Sequence, residues 1–345
     1  MHDLPPLARF GTRVATGLLD VTSDPAALDA TGFWAVSADF EGRLVCARFA
    51  EVREERVPAP VPGRWRGPAA GDWTSSLDRA EYTAGVRRIR EHIAAGEVYQ
   101  ANLCRVLTAP VAPGADVDAL TALLARGNPA PYAGTIRLPG HGVEIATASP
   151  ELFLRRDGRT VWSGPIKGTG RTEADLLDKD YAENVMIVDL VRNDIGRVCA
   201  AGTVTVPDLC VVEKHPGLVH LVSTVRGELR ADAGWPELLD AAFPPGSVTG
   251  APKSSALRII DVLETAPRGP YCGGIGWVDA DRGTGELAVG IRTFWIDRAA
   301  GVLRFGTGAG ITWGSDPGAE WAETELKAAR LLAVASGSYD ASERD

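Results

Sequence analysis

The sequence predicts an α+β fold: a large unit of packed, mostly antiparallel β-sheet flanked by helices. Strand-like segments follow one another through tight Gly- or Asp-containing turns, as at 279–285 and 297–301. Helical periodicity recurs at only a few places, so strands and helices do not alternate as in a parallel βαβ fold. With 345 residues, 45% of them apolar, the chain can form a large core.

The N-terminal part predicts a short β region and a linker within the same globule, residues 1–75. Strand-like stretches at 33–36 and 44–49 precede a Pro/Gly-rich stretch at 57–72. Asp78 with Glu81 then resembles a capping box, and apolar residues recur at helical spacing as far as Gly96. We therefore expect a helix over 79–94.

The rest of the chain predicts one large α+β region, 76–336, and a C-terminal tail, 337–345. Strands are expected at 98–108, 132–138, 143–155, 203–212, 218–228, 272–279, 286–297 and 302–313. Helices are expected near 117–126, 179–194, 253–264 and 317–335.

Composition narrows the class of function. The balance of 36 Lys and Arg against 45 Asp and Glu gives a net charge of -9, which disfavours nucleic acid and anionic membranes as partners. An anionic substrate would therefore need local positive groups or a metal. Five scattered cysteines without a C-x-x-C pair predict neither a zinc site nor a disulfide framework. Without a signal-peptide pattern or a long apolar run, the expected location is the cytoplasm.

The last predicted helix carries two carboxylates on one face. Asp316 and Pro317 are typical of an N-cap and a first helical residue, and Glu320, Glu323 and Lys327 follow at i, i+3 and i+7. Such a pair can hold a hard divalent cation. The alternative is a solvated acidic face with a Glu323–Lys327 ion pair.

A third glutamate lies on a mainly apolar stripe of the helix predicted near 179–194. Glu183 shares this stripe with Ile187, Leu190 and Asp194. Burying a carboxylate without a partner is costly, and a metal would supply one. The alternative is that Glu183 meets Arg192 or solvent.

Several further polar residues stand in short motifs. Glu151 lies in TASPELFLR, Lys167 and Thr169 in SGPIKGTGR, His220 in HLVST and Arg292 in GIRTF. Taken singly, His220 can equally be a core histidine, Arg292 a strand surface charge and Lys167 a hairpin lysine. The glycines at 306, 308 and 310 can bring a backbone close to an anion, but no βαβ context favours a nicotinamide site.

Over residues 76–336 the motifs resemble those of the chorismate-utilising enzymes, which include anthranilate, isochorismate, salicylate and aminodeoxychorismate synthases. Three runs carry the resemblance: AENVMIVDLVRNDIGRV, GSVTGAPK and GAGITWGSDPGAEWAETELK. It implies a single large α+β unit of antiparallel sheets flanked by helices, with the site in a cleft.

The resemblance also implies roles for individual residues. Glu183, Glu320 and Glu323 would hold Mg²⁺ against the ring carboxylate of chorismate, and Glu151 would be the general acid for the departing 4-hydroxyl. The other implied substrate contacts are Arg292, Lys327, Gly308, Ala309, Gly310, His220, Thr169, Ser247, Thr249 and Gln100.

Two positions point to one reaction within the family. Gln100 stands at the position where the water-adding members, isochorismate and salicylate synthases, look to carry a lysine base. Lys167 in PIKGT resembles the para-aminobenzoate branch, whereas anthranilate synthases look to have alanine at this position, in PIAGT. The implied reaction is amination of chorismate to 4-amino-4-deoxychorismate through Lys167 addition at C2. Ammonia would come from a separate glutamine amidotransferase. The alternatives are anthranilate formation and a non-catalytic chorismate-binding subunit.

Overall fold

The computed structural model describes residues 4–56, 65–170, 172–215 and 218–337. The helices are α1 Arg79–Ala94, α2 Val117–Gly127, α3 Asp178–Gly196, α4 Trp235–Ala242, α5 Lys253–Leu263 and α6 Pro317–Ala335. The strands are β1 Leu7–Phe10, β2 Arg13–Thr22, β3 Phe33–Ala38, β4 Leu44–Glu54, β5 Thr74–Ser75, β6 Gln100–Pro110, β7 Tyr132–Leu138, β8 Val143–Ser149, β9 Leu152–Asp157, β10 Thr160–Gly164, β11 Ile166–Gly170, β12 Thr205–His215, β13 Leu218–Glu228, β14 Gly250–Ala251, β15 Gly274–Asp279, β16 Thr284–Val289, β17 Thr293–Asp297 and β18 Val302–Ile311.

All strands belong to one hydrogen-bonded system, and every described pairing between named strands is antiparallel. The order runs β12-β13-β10-β9-β16-β15-β3-β4-β2-β1-β7-β8-β17-β18-β6, and β11 also pairs with β13. The antiparallel α+β prediction is therefore confirmed.

The N-terminal strands lie in the middle of this order. β3 pairs with β15 and β1 pairs with β7, so β1 to β4 join the two halves of the sheet. Only part of the predicted Pro/Gly-rich linker is described, from Trp65 onward. The predicted tail lies outside the described residues from position 338 onward.

The capping signals give the correct helix starts. Asp78 accepts from the main-chain N–H of Glu81 at 2.8 Å while Glu81 reaches back to the N–H of Asp78, and α1 begins at Arg79. Asp316 accepts from the N–H of Ala319 at 2.9 Å, and α6 begins at Pro317. The predictions of both helices are confirmed.

Two predicted strands are wrong in their continuity. The stretch 143–155 is broken at Pro150 and Glu151, because proline cannot donate to a sheet ladder. The stretch 286–297 is broken between Val289 and Thr293. Helix α4, whose few residues lie directly after a turn, was not predicted. Both breaks fall beside residues that the sequence analysis assigns to the site.

The core consists of one large apolar cluster and smaller ones beneath the helices. Trp235, Leu287 and Ile187 are fully buried in the large cluster, while Phe294 and Phe305 pack between the sheet and helices α2 and α6. The five cysteines are free thiols. Within the described ranges, no helix combines the length and the apolar character needed to cross a bilayer.

Candidate active site

Residues from opposite ends of the strand order meet at one main-chain oxygen. The Nζ of Lys167, on β11, donates to the carbonyl of Ser247 at 3.3 Å. The Nδ2 of Asn102, on β6, approaches the same oxygen at 3.5 Å. Because β11 and β6 lie near the two ends of the strand order, the sheet curls until these ends face each other across this point.

Glu151 lies beside Lys167 at the break between β8 and β9. Glu151 is buried, with only 4% of its surface exposed. Burial raises the pKa of Glu151 to about 7, although a hydrogen bond with Ser247, the charge of Lys167 and the N–H of Ile166 act in the opposite direction. A carboxyl group with this pKa keeps its proton in much of the population at neutral pH, so Glu151 can act as a general acid.

Lys167 is half-buried, and burial lowers the pKa of its ammonium group. The charges of Glu183, Glu151 and Glu323 raise this pKa, whereas that of Lys327 lowers it further. Lys167 is therefore surrounded by charged site residues from the break between β8 and β9, from α3 and from α6, and the net effect is a pKa below the usual lysine value.

Glu183 and Glu320 face the same region from α3 and α6. Burial raises the pKa of both carboxyl groups, and the nearby charge of Glu323 adds to the effect in each case. Glu320 is 8% exposed, and Glu183 is half-buried. Two partly desolvated carboxylates beside a third are costly without a cation. Arg192 pairs with Asp189 at 3.0 Å, so the alternative that it pairs with Glu183 is wrong.

Glu323 is the exposed member of the three, with 45% of its side chain accessible. Burial raises its pKa, but the ammonium groups of Lys327, Lys179 and Lys167 outweigh burial and hold the pKa below its usual value. The Nζ of Lys327 lies 2.7 Å from a carboxylate oxygen of Glu323 and also donates to the carbonyl of Gly308 at 3.2 Å. The predicted Glu323–Lys327 ion pair is thus present.

The glycine-rich part of β18 runs along the site with one free edge. β6 pairs with β18 along its length, but β17 pairs only with Val302 to Phe305, so 306–310 have no second strand partner among the described residues. A Cβ at Gly310 would lie 2.2 Å from the Nε2 of Gln100, so a larger residue there would require the buried Gln100 side chain to move. This edge can present main-chain N–H groups to an anion.

Arg292 sits in the break between β16 and β17, so it is not the strand surface charge considered as an alternative. It is half-buried with φ 52, a conformation that non-glycine residues seldom adopt. Burial lowers its pKa. No hydrogen bond or ion pair of its guanidinium is found among the described residues, which leaves its donors free for a ligand.

The remaining predicted contacts are placed less uniformly. His220 is 3% exposed and lies opposite Thr169 in the sheet register, but the side chain of Thr169 is outside the described part of the chain. Gln100 is fully buried; its Nε2 lies 3.4 Å from Asn102, and its Oε1 has no partner in the described residues. The buried hydroxyl of Thr249 donates to the carbonyls of Pro245 and Gly246, so it stabilises the local turn.

Comparison with known proteins shows the family to which the chain belongs. The family model of chorismate binding enzymes matches residues 24–333. The chain belongs to the chorismate-binding enzyme family.

Two relatives illustrate the range of reactions named for the chorismate-binding family. Anthranilate synthase component 1 from Streptomyces coelicolor is 41% identical over 297 residues, covering 80% of this chain and 57% of the relative. Aminodeoxychorismate synthase component 1 from Salmonella typhimurium is 37% identical over 319 residues, covering 87% and 68%. The chain thus spans between about half and two thirds of these relatives. The solved menaquinone-specific isochorismate synthase from Escherichia coli superposes with a TM-score of 0.81 at 20% identity, covering 96% of this chain and 89% of that one, and shows the fold.

The three glutamates of this member of the chorismate-binding enzyme family suit a hard cation in their donor type, since Mg²⁺ prefers carboxylate oxygens. In the described part of the chain no three such side chains are already gathered as a closed metal cluster. Lysines stand among the carboxylates instead: Lys327 pairs with Glu323, and Lys179 lies near all three. A cation would take over the charge compensation that these lysines supply.

Two residues of the site were not identified from the sequence. Asn102 reaches the carbonyl of Ser247 from β6, and its alternation with Gln100 on that strand was the available signal. Lys179 precedes Glu183 by one helical turn on α3, a spacing that places the two side chains on one face. Their roles depend on how the sheet closes.

Proposed function

We propose that this chain replaces the 4-hydroxyl of chorismate with ammonia and forms 4-amino-4-deoxychorismate. The observation that carries this proposal is the meeting of Lys167 and Glu151 at Ser247: a buried acid with a pKa of about 7 stands beside a lysine whose pKa is lowered by burial. This combination supplies both a proton donor and a nucleophile.

In the proposed reaction the neutral amine of Lys167 adds to C2 as the C4–O bond breaks. Glu151 gives its proton to the leaving hydroxyl, which departs as water, while the ring double bonds shift. Ammonia then adds at C4, the double bonds shift back, and the C2–N bond to Lys167 breaks. The ammonium group formed at C4 returns a proton to Glu151, so the net change is chorismate plus ammonia to 4-amino-4-deoxychorismate plus water, with Lys167 and Glu151 regenerated.

The net charge of -9 repels an anionic substrate, so positively charged groups in the site are needed to bind it. Arg292 has donors without partners among the described residues, and Lys327 lies at the free edge of β18 beside Gly308. We propose that these groups bind the two carboxylates of chorismate. The neutral amide of Gln100 offers no base for activating water, which favours amination over hydroxylation.

We propose that Glu183, Glu320 and Glu323 hold Mg²⁺. A bound Mg²⁺ would act as a Lewis acid and as a template for the ring carboxylate. Neutralising Glu183 and Glu323 would also remove two of the three charges that keep the proton on Lys167.

Magnesium removal is expected to abolish turnover. Chelator should stop the reaction, and added Mg²⁺ should restore it, because the clustered carboxylates repel one another and the substrate without a cation. Glu323→Gln should raise the Mg²⁺ concentration for half-maximal rate by at least ~10-fold. The matched control, Glu91→Gln, removes an exposed helical carboxylate that pairs with Arg88 and should leave this concentration unchanged. Full activity in chelator would exclude the metal assignment.

We also propose that ammonia reaches the site from a separate glutamine amidotransferase, as the term component 1 in the names of both relatives suggests. The isolated chain is then expected to use ammonium salts, better at alkaline pH where more free ammonia is present, and not glutamine. Adding a glutaminase subunit should rescue glutamine use. Glutamate release from glutamine by the isolated chain would contradict this partner.

One experiment separates the proposed function from its alternatives. The purified chain is incubated with chorismate, Mg²⁺ and an ammonium salt, and the products are identified by mass and absorbance. We expect 4-amino-4-deoxychorismate. Fluorescent anthranilate would identify the second candidate, which the 41% identity to the Streptomyces coelicolor relative favours, and unchanged chorismate would identify a non-catalytic binding subunit. Supply of para-aminobenzoate for folate, and a cytoplasmic location, belong to the same proposal.

A further inference from the structure

A single ammonium group holds both ends of the turn that carries Ser247. The Nζ of Lys253 donates to the carbonyl of Ala242 at 2.9 Å. Ala242 is the last residue of α4 and Lys253 the first of α5. The residues between them, 243–252, are here named the 243–252 turn, and the ammonium group of Lys253 joins the two ends of this turn.

Asp194 ties this charge to α3. A carboxylate oxygen of Asp194 lies 2.7 Å from the Nζ of Lys253, and their side chains are only 9% and 16% exposed. Gly246, within the 243–252 turn, packs so closely on α3 that a Cβ there would lie 2.7 Å from a methyl carbon of Leu190. The ion pair therefore fixes where the turn sits on the helix.

Ser247, in the 243–252 turn, contacts both proposed catalytic groups. Its carbonyl accepts from Lys167 at 3.3 Å, and its side chain hydrogen-bonds Glu151. A small cavity of about 10 Å³ is lined by Glu151, Ser163, Asp194 and Ser247 among others, so the acidic member of the ion pair and Glu151 border the same cavity. The charged groups that face Glu151 are thus Lys167 and, across this cavity, Asp194.

We propose that the Asp194–Lys253 ion pair is a positioning device, which fixes the 243–252 turn so that Ser247 aligns Glu151 and Lys167. The inference rests on the proposed function, in which these two groups react. A purely structural ion pair would affect thermal stability alone. A positioning pair also controls the proton affinity of Glu151.

The test measures the titration of Glu151 directly, by carbon NMR of protein labelled at glutamate carboxyls, with the signal assigned through Glu151→Gln. The hydrogen bond from Ser247 lowers the pKa of Glu151, so Ser247→Ala is expected to raise it. Lys253→Gln should raise it in the same direction, and the double variant should add nothing further, because both changes remove the same contact. In ammonium-dependent assays kcat of Lys253→Gln should fall about tenfold with little change in KM for chorismate.

Removing Lys253 also leaves the charge of Asp194 unpaired near Glu151, and this effect must be separated from positioning. The paired variant Asp194→Leu/Lys253→Leu removes both charges and retains apolar packing, which buried ion pairs often tolerate. It should still raise the pKa of Glu151, and it carries the test if Lys253→Gln does not fold.

The matched control is Arg137→Gln. Arg137 forms a comparably buried ion pair with Asp116 at 2.5 Å, at the end of β7 away from Ser149. This variant should lower Tm and leave the Glu151 titration unchanged. Folded Lys253 variants with normal Glu151 titration and kcat, or shifts that add fully to that of Ser247→Ala, would overturn the proposal. The titration needs no turnover, so formation of anthranilate would refute the proposed function and leave the positioning result intact.

Discussion

Replacing Lys167 with alanine is expected to slow para amination of chorismate by at least ~10³-fold, about 4 kcal/mol of barrier. The reason is that the variant lacks the amine that adds at C2, while Glu151 and the carboxylates remain. The measurement is the rate of 4-amino-4-deoxychorismate formation with saturating chorismate and ammonium.

A covalent adduct distinguishes nucleophilic attack from simple contact. In stopped wild-type reactions, mass spectrometry should find an added mass on the peptide that contains PIKGT. The control Lys214→Ala removes an exposed lysine of β12 and should keep the wild-type rate. Externally supplied ammonia can attack C2 in Lys167→Ala and shift the products towards the ortho series. Unimpaired para amination without any adduct would return anthranilate-type chemistry to consideration.

Glu151→Gln is expected to reduce kcat by about 10²–10⁴-fold, because the amide cannot protonate the leaving hydroxyl. The pKa of Glu151, about 7, also predicts the shape of the wild-type profile: with saturating ammonia, kcat should fall as pH rises above about 7 and the acid loses its proton. The variant should lack this limb. Unchanged turnover would remove Glu151 from the mechanism.

Glu151→Gln, which is expected to lower kcat, is expected to increase the stability of the fold. The pKa of Glu151 is 4.5 in its ordinary state and about 7 in the fold, so the unfolded chain ionises first as pH rises. The free energy of unfolding of the wild type therefore decreases, through Glu151, as pH rises from about 4.5 to 7. Glu151→Gln should be more stable than wild type above pH 7, on the order of 3 kcal/mol, in denaturant titrations. Equal pH dependence of unfolding in the two proteins would contradict the raised pKa.

Local signals in the sequence carried much of the fold. The caps at Asp78 and Asp316 gave the starts of α1 and α6, because a cap depends on neighbours within one turn. The antiparallel pattern followed from tight turns. Pro150 could have indicated the break before Glu151, whereas the break at Arg292 has no comparable local signal.

The site was less accessible from the sequence, since it is assembled by contacts between distant segments. The motifs indicated Lys167 and Glu151 separately, but their meeting at Ser247 follows from the closure of the sheet. Lys179 and Asn102 escaped notice for the same reason. Thr249, which the resemblance makes a substrate contact, donates its hydroxyl within the turn, and its contact with substrate stays a prediction.

The pairing of β6 with β18 has a consequence for how the protein forms in the cell. β6 ends at Pro110 and its partner begins at Val302, so a ribosome adding roughly 5–20 residues per second needs on the order of 10–40 s between them. During that interval this edge of β6 is exposed to other chains, and long-range strand pairing of this kind is intrinsically slow. Yield on expression should therefore depend strongly on temperature and on chaperones that shield nascent strands.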